Sequence, residues 1–316
     1  MAHNWSILPT PSPLECRAEI EWQRDSKEYG PGARLSVKHD GFAEYLDTFT
    51  QWTAAEEEAT LPLSDYLDYQ LEITGEMRRS LVEWLRDIKD AFNLSASTLA
   101  LGVNICDRYL SRRSIPKRDY QLLGITSLFV ASKYIELPRG TLTVANVMQL
   151  CCKQYCPWDL QEMERRLLDV IGFDLSWKSP GDVLDILTGQ PGSDDTSPRH
   201  RHYGPVLLIP EPPISVPKDV VELAHSVIET SLAHSRFLGL RSATVAVSAM
   251  IAADKMLIIE GKAPSTCLTQ LILQKLASLF PIEPRVLTVA DHLLVCHHRA
   301  QGRNRGEPVT PPPDKH

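Results

Sequence analysis

Apolar residues recur every three to four positions along most of this chain from Phe42 onwards, which is the period of an α-helix with one buried face. No convincing β-hairpin pattern interrupts them. Helix start signals such as Ser95, Pro116 and Pro157 fall between the periodic stretches. The pattern predicts an all-α protein with helices over 42–52, 74–92, 96–111, 117–135, 143–154, 159–172, 180–188, 220–235, 241–260, 266–280 and 284–298.

Segments without a helical period divide the chain into parts. Residues 1–41 are polar and predict a flexible leader, whereas the proline-rich residues 299–316 predict a disordered tail. Residues 189–219 are rich in proline and glycine and are long for a loop, so they predict an insert. The helices between these segments predict two units of five helices, over 42–178 with one additional N-terminal helix and over 179–298.

Composition excludes several classes of function. The formal net charge of −7 argues against a general nucleic-acid binder, which needs a basic face. The N-terminus lacks the pattern of a secretory signal, and Tyr120–Ile135, interpreted as the most apolar stretch, is too short to span a bilayer. We therefore expect no membrane partner. The seven cysteines are expected to be reduced, and Cys151, Cys152 and Cys156 lack the partner spacing of a metal site.

Two charged residues fall on the apolar faces of neighbouring predicted helices. On a helical projection of MRRSLVEWL (77–85), Arg78 lies inside the apolar arc, between Leu85 and Val82. Asp107 lies at the flank of the apolar stripe of the next helix. A lone buried charge costs several kcal/mol, so the pattern predicts that Arg78 and Asp107 form a buried ion pair.

Two more charges, Lys133 and Glu164, lie within apolar faces but near helix ends. Both have long side chains, which can bury their stems and keep their charged groups at a surface. They can therefore pair with each other, or both can contact a partner protein. The projection alone leaves these alternatives open.

Five blocks in the first unit resemble the cyclin box of the cyclins and, in the first block, the segment that precedes the box in the mitotic A and B types. They are YLDYQLEITGEMRR (66–79), MRRSLVEWL, CDRYLS (106–111), QLLGITSLFVASKY (121–134) and MERRLLDVIGFDL (163–175). FAEYLDTF (42–49) resembles the start of the family's additional N-terminal helix. The resemblance implies two tandem five-helix cyclin-box repeats and is weak over the second repeat.

The resemblance also implies a function. Cyclins bind and activate a cyclin-dependent protein kinase by positioning its PSTAIRE-type helix, and they carry no catalytic group or cofactor. It assigns Lys133, Tyr134, Glu136 and Glu164 to the kinase-binding surface. It implies cell-cycle control and a location in nucleus and cytoplasm. Consistently, the sequence has no GxSxG, P-loop, HExxH or kinase glycine-loop motif, so we expect no enzyme.

A second site is implied on the helix of MRRSLVEWL. In some cyclins one edge of this helix and the first glutamine of the central helix form a groove for RxL-type substrate or inhibitor peptides. The matching positions here are Met77, Leu81, Trp84, Asp87 and Gln121. A shallow apolar groove beside a carboxylate suits an Arg/Leu peptide. The alternative is that Met77 and Trp84 are ordinary core residues.

Other interpretations stay open at this point. Thr310, before Pro311, is a candidate site of proline-directed phosphorylation. A cyclin-fold transcription adaptor would need basic surfaces, which the acidic total charge disfavours. A kinase-independent scaffold would be free to lose Lys133 and Glu164, and both are present.

Overall fold

A computed structural model describes residues 57–137, 140–151, 154–190, 216–262, 269 and 285–304. All of the described residues belong to one compact unit. Residues 1–48 lie outside the described residues. The predicted leader, most of the predicted insert and Thr310 also lie outside them.

Besides the helical residues 57–60, the first half of the described chain contains one short helix and five longer helices. They are α1 (Tyr66–Tyr69), α2 (Gly75–Phe92), α3 (Ala96–Leu110), α4 (Lys117–Ile135), α5 (Val144–Leu150) and α6 (Pro157–Ile171). The predicted helix over 42–52 lies outside the described residues.

The second half contributes four helices to the described chain. They are α7 (Pro180–Thr188), α8 (Lys218–Ser231), α9 (Ser242–Ile259) and α10 (Val286–Asn304), with a 3-10 turn at Ser235–Phe237 between α8 and α9. The predicted helix over 266–280 lies outside the described residues except for Thr269. The all-α class is confirmed, and the described ranges contain no strand.

Helix α4 is the centre of the first half. Every residue from Leu122 to Ser132 is buried, as expected for a helix that is apolar on nearly all sides. Helix α3 packs closely along it, because a Cβ on Gly102 would lie only 3.1 Å from the Cα of Leu128. On another side, Leu81 of α2 fills the space beside Gly124, where a Cβ would lie 2.6 Å from the Leu81 side chain. Two glycines thus set the spacing of three helices.

Helix α9 has the corresponding place in the second half. It is buried almost throughout from Ser242 to Met256. It is long and apolar enough to cross a membrane, and 72% of that segment is buried inside the protein. Its apolar surface is therefore core, and the interpretation of Tyr120–Ile135 as the most apolar stretch is wrong.

The two halves meet along α2 and the end of α8. Glu229 of α8 forms ion pairs with Arg86 (3.2 Å) and Lys89 (3.2 Å) of α2. Further along, the Nη1 of Arg78 donates a hydrogen bond to the carbonyl of Leu232 at 2.9 Å. Charged groups of α2 therefore hold the chain that leaves α8.

Several predicted boundaries require correction. Helix α5 ends at Leu150 rather than 154, and α8 runs from Lys218 to Ser231 rather than from 220 to 235. Helix α6 begins at Pro157, two residues before the predicted start. Helix α10 continues to Asn304, so residues 299–304 belong to a helix and not to a disordered tail.

Candidate functional site

The Arg78–Asp107 pair is present and buried, with side chains 3% and 5% exposed. The guanidinium meets the carboxylate with two parallel hydrogen bonds, Nε to Oδ1 at 2.9 Å and Nη2 to Oδ2 at 2.7 Å. This two-pronged geometry is the one that best offsets the cost of removing both charges from water. Arg78 therefore has a structural role between α2 and α3.

Two further partners complete this buried group. The hydroxyl of Tyr66 in α1 donates to Oδ1 of Asp107 at 2.6 Å, and the carbonyl of Leu232 accepts from Arg78. Sequence reasoning missed both. Tyr66 lies 41 residues from Asp107, and Leu232 takes part through its main chain, which no side-chain pattern reports.

The electrostatics of the group fix its protonation. Burial acts to lower the pKa of Arg78, but the carboxylate of Asp107 outweighs it and holds that pKa above its usual value. Burial, then the negative charge of Asp107, raises the pKa of Tyr66. Arg78 thus stays charged and Tyr66 stays a hydrogen-bond donor.

Lys133 and Glu164 meet near the surface. The Nζ of Lys133, in the last turn of α4, donates to Oε1 of Glu164 in α6. Their side chains are 40% and 20% exposed, so the pair is neither sealed in the core nor fully solvated. The Lys133 ammonium also lies 4.3 Å from the centre of the Phe129 ring. The two charges pair with each other and remain accessible together.

Large apolar side chains are exposed on the elements that carry this pair. Tyr134, in the last turn of α4, and Leu137, two residues after the end of that helix, are 42% and 40% exposed. Trp158, in the first turn of α6, is 67% exposed. An accessible ion pair on elements with exposed aromatic residues has the composition of a protein-binding surface.

Glu136 does not belong to this surface, which corrects its assignment to the kinase-binding residues. It is 7% exposed, and its Oε1 accepts three hydrogen bonds at the start of α3. The donors are the main-chain N–H of Ser95 at 2.8 Å, the Ser95 hydroxyl at 2.9 Å and the Thr98 hydroxyl at 2.6 Å. A carboxylate beside the N-terminus of a helix is electrostatically favourable. Glu136 therefore caps α3 from the end of α4.

The predicted groove residues lie on α2 and α4. Met77 and Trp84 are partly buried against the apolar core of the first half. The side chain of Leu81 is 8% exposed, and Asp87 is exposed. Gln121 is half-buried and lies one turn before Gly124, where Leu81 packs between the two helices. The half-buried Met77 and Trp84 are thus in part core residues, and they retain accessible surface.

The described residues contain no group of three metal-ligating side chains. Cys151 is buried and Cys156 is exposed, while Cys152 lies outside the described residues.

Comparisons with known proteins agree with this architecture. The family described as "Cyclin, N-terminal domain" matches residues 48–176. The G2/mitotic-specific cyclin cig2 of Schizosaccharomyces pombe is 41% identical over 134 residues, which are 42% of this chain and 32% of the relative. The G2/mitotic-specific cyclin-B of Emericella nidulans is 29% identical over 215 residues, 68% of this chain and 40% of the relative. The chain thus spans well under half the length of these curated relatives.

Among solved structures, a viral cyclin from herpesvirus saimiri matches with a TM-score of 0.59. The match covers 78% of this chain and 96% of the viral chain at 17% identity, which establishes a shared fold. The structural match therefore extends beyond the N-terminal domain. Residues 48–176 of this chain thus match the N-terminal domain of the cyclin family and are similar in sequence to G2/mitotic-specific cyclins.

Proposed function

We propose that this chain is the regulatory subunit of a Ser/Thr protein kinase of the cyclin-dependent type, acting in cell-cycle control. The cyclin domain that it matches and the G2/mitotic cyclins to which it is similar support this proposal. The chain would supply no catalytic group of its own. We expect it in nucleus and cytoplasm, which fractionation of cells that express a tagged chain tests.

The accessible Lys133–Glu164 pair carries the proposal. An ammonium and a carboxylate side by side offer one donor and one acceptor to the main chain or side chains of a partner helix. Because the pair is internally neutralised and only partly exposed, its two groups are held in place before the partner arrives. Exposed Tyr134 on the same helix adds apolar contact.

The mechanism is allosteric. The chain would bind the PSTAIRE-type helix of the kinase through Lys133 and Glu164 and hold that helix in its active position. A kinase Lys–Glu pair then orients ATP, and the activation loop opens. The rigid packing of α4 on its neighbours suits this role, because a buried helix can hold another protein's mobile element without moving itself.

The experiment compares two pairs of alanine substitutions in the full chain. Lys133→Ala with Glu164→Ala removes the proposed contact, whereas Glu162→Ala with Arg165→Ala removes an exposed ion pair of α6. Each lost charged contact is worth about 1.5–3 kcal/mol, so we expect kinase binding and activation to fall about 100-fold or more in the first variant only. Normal activation by the first variant, with an unchanged circular dichroism spectrum, would refute the assignment.

We propose that the edge of α2 that carries Met77, Leu81 and Trp84 docks RxL-type substrate or inhibitor peptides. The accessible surface of Met77 and Trp84 and the exposed carboxylate of Asp87 support this. Trp84→Ala is expected to lower kcat/KM of the kinase complex about tenfold for an RxL-bearing protein substrate. A short peptide substrate without the motif should be unaffected. Equal losses on both substrates, or no loss on either, would contradict the assignment of a docking groove. Glu83→Ala, on the exposed face of α2, is the control.

A further inference from the structure

A cavity lies at the junction of the two halves. Its volume is about 70 Å³, it is partly open to solvent, and most of the side chains that line it are apolar. The first half contributes residues of α2 and α3, including Arg78 and Asn104, and the chain between α6 and α7 contributes Trp177. The second half contributes the end of α8, the 3-10 turn and Val245 of α9. We call this space the junction cavity.

The ion pair in the wall of the junction cavity favours an uncharged occupant. Arg78 and Asp107 both line the cavity and neutralise each other. Both carboxylate oxygens of Asp107 accept hydrogen bonds from Arg78, whose Nη1 is engaged by the carbonyl of Leu232. A charged ligand would give up its hydration without meeting a net opposite charge from this pair.

Two uncharged polar atoms of the lining residues are buried without a partner. Oδ1 of Asn104 accepts no hydrogen bond from a described residue, although Asn104 is only 4% exposed. The Nδ2 of the same amide donates to the carbonyl of Thr60 at 3.1 Å, which identifies the oxygen as the end of the amide that is left over. The indole Nε1 of Trp177 is buried and likewise donates to no described residue. Because an unsatisfied buried donor or acceptor is costly, both atoms indicate a partner that occupies the cavity.

These two atoms and the size of the cavity define the chemistry of that partner. Asn104 needs a donor and Trp177 needs an acceptor, and an amide supplies both in one planar, uncharged group. A cavity of ~150 Å³ holds benzene, so one of this size accommodates roughly four non-hydrogen atoms. Ordered water offers the same hydrogen bonds but does not fill the apolar part of the wall. We propose that the junction cavity binds the amide group of a small uncharged molecule.

The experiment titrates the full chain with acetamide and follows the indole N–H resonances of its six tryptophans by NMR after ¹⁵N-tryptophan labelling. Trp177→Phe identifies the resonance of Trp177, and the indole of Trp84 is the internal control. Acetone is the matched probe, because it keeps the shape and the carbonyl oxygen of acetamide and lacks the N–H. The junction cavity shares no residue with the proposed kinase contact or the proposed peptide groove, so the test needs no kinase.

The variants separate the acceptor from the space. Asn104→Leu removes the acceptor at similar volume, and Ala100→Val adds two carbon atoms to the wall. Gln149→Leu, which removes an exposed amide of α5, is the control.

We expect acetamide to shift the Trp177 resonance saturably in the wild type and in Gln149→Leu, and to leave that of Trp84 unchanged. Acetone should bind the wild type about tenfold more weakly, and Asn104→Leu should bind acetamide about tenfold more weakly, because each loses one hydrogen bond. Ala100→Val should also weaken binding, and it decides the matter if Asn104→Leu does not fold. A shift that does not saturate, which would indicate water only, equal binding of acetone, or unchanged binding by Ala100→Val overturns the proposal.

Discussion

Replacing Arg78 by alanine removes the centre of the buried group that joins α1, α2, α3 and the chain after α8. Asp107 then keeps one partner, the Tyr66 hydroxyl, and loses both hydrogen bonds to the guanidinium. The carbonyl of Leu232 loses its donor as well. Breaking a buried pair from one side costs about 3–5 kcal/mol, because the remaining charge is stranded at 5% exposure. Two charge-assisted hydrogen bonds of about 1.5–3 kcal/mol each give an overlapping total of about 3–6 kcal/mol.

The assay is urea unfolding followed by far-UV circular dichroism, with the free energy taken by linear extrapolation. Arg78→Met combined with Asp107→Leu is the matched comparison, since it removes both charges and fills similar volume with apolar atoms. We expect the free energy of unfolding to fall less in this double variant than in Arg78→Ala, because no buried charge is left without a partner. A loss below about 1 kcal/mol for Arg78→Ala, or a greater loss in the double variant, would show that the pair does not hold the fold as described.

Two further predictions concern buried polar groups outside the central pair. Glu136→Ala should lower the free energy of unfolding by about 2–3 kcal/mol, because three donors at the start of α3 lose their acceptor. Glu136→Gln should lower it by less, because glutamine keeps an acceptor oxygen. Equal losses for the two variants in urea unfolding would contradict the capping role. Burial lowers the pKa of His297 in the folded protein, and the neighbouring His298 lowers it further. His297 therefore binds a proton more readily in the unfolded chain. As a consequence, the stability of the fold decreases as the pH falls through the pKa that His297 has in the unfolded chain. When the pH is lowered from about 7.5 to about 5.5, the free energy of unfolding of the wild type should therefore fall by about 1 kcal/mol more than that of His297→Gln. Urea unfolding at both pH values measures this difference, and an identical pH dependence of the two proteins would contradict the prediction.

The helices could be predicted because each one buries a face, and a buried face leaves a period in the sequence. Their ends were predicted less well, since the polar residues of a first or last turn carry no such period. Helix α6 begins at Pro157, where Asp159 accepts a hydrogen bond from the main chain of Cys156 at 2.7 Å. Helix α10 continues to Asn304 beyond its last predicted apolar position.

The candidate site residues also differ in how well the sequence predicts their contacts. Arg78 and Asp107 could be paired from sequence, because helical periodicity places both charges on buried faces of consecutive helices. Glu136 could not be placed, because it follows the last residue of α4, where the chain leaves the helix and the projection no longer applies. Its direction depends on donors at Ser95 and Thr98, about forty residues earlier in the chain. Contacts of this kind are set by tertiary structure alone.

The hydrogen bond from Arg78 to the carbonyl of Leu232 affects which truncated fragments of this protein can fold. The segment that matches the family model ends at residue 176, yet Arg78, in its first quarter, donates a hydrogen bond to a carbonyl 154 positions downstream. A fragment trimmed to 48–176 would remove the acceptor of one arm of that guanidinium and the Glu229 partner of Arg86, and it would leave Lys89 with Asp90 alone. The smallest piece that folds autonomously should therefore extend past the end of α8, and the limits of homology are a poor guide to where to truncate.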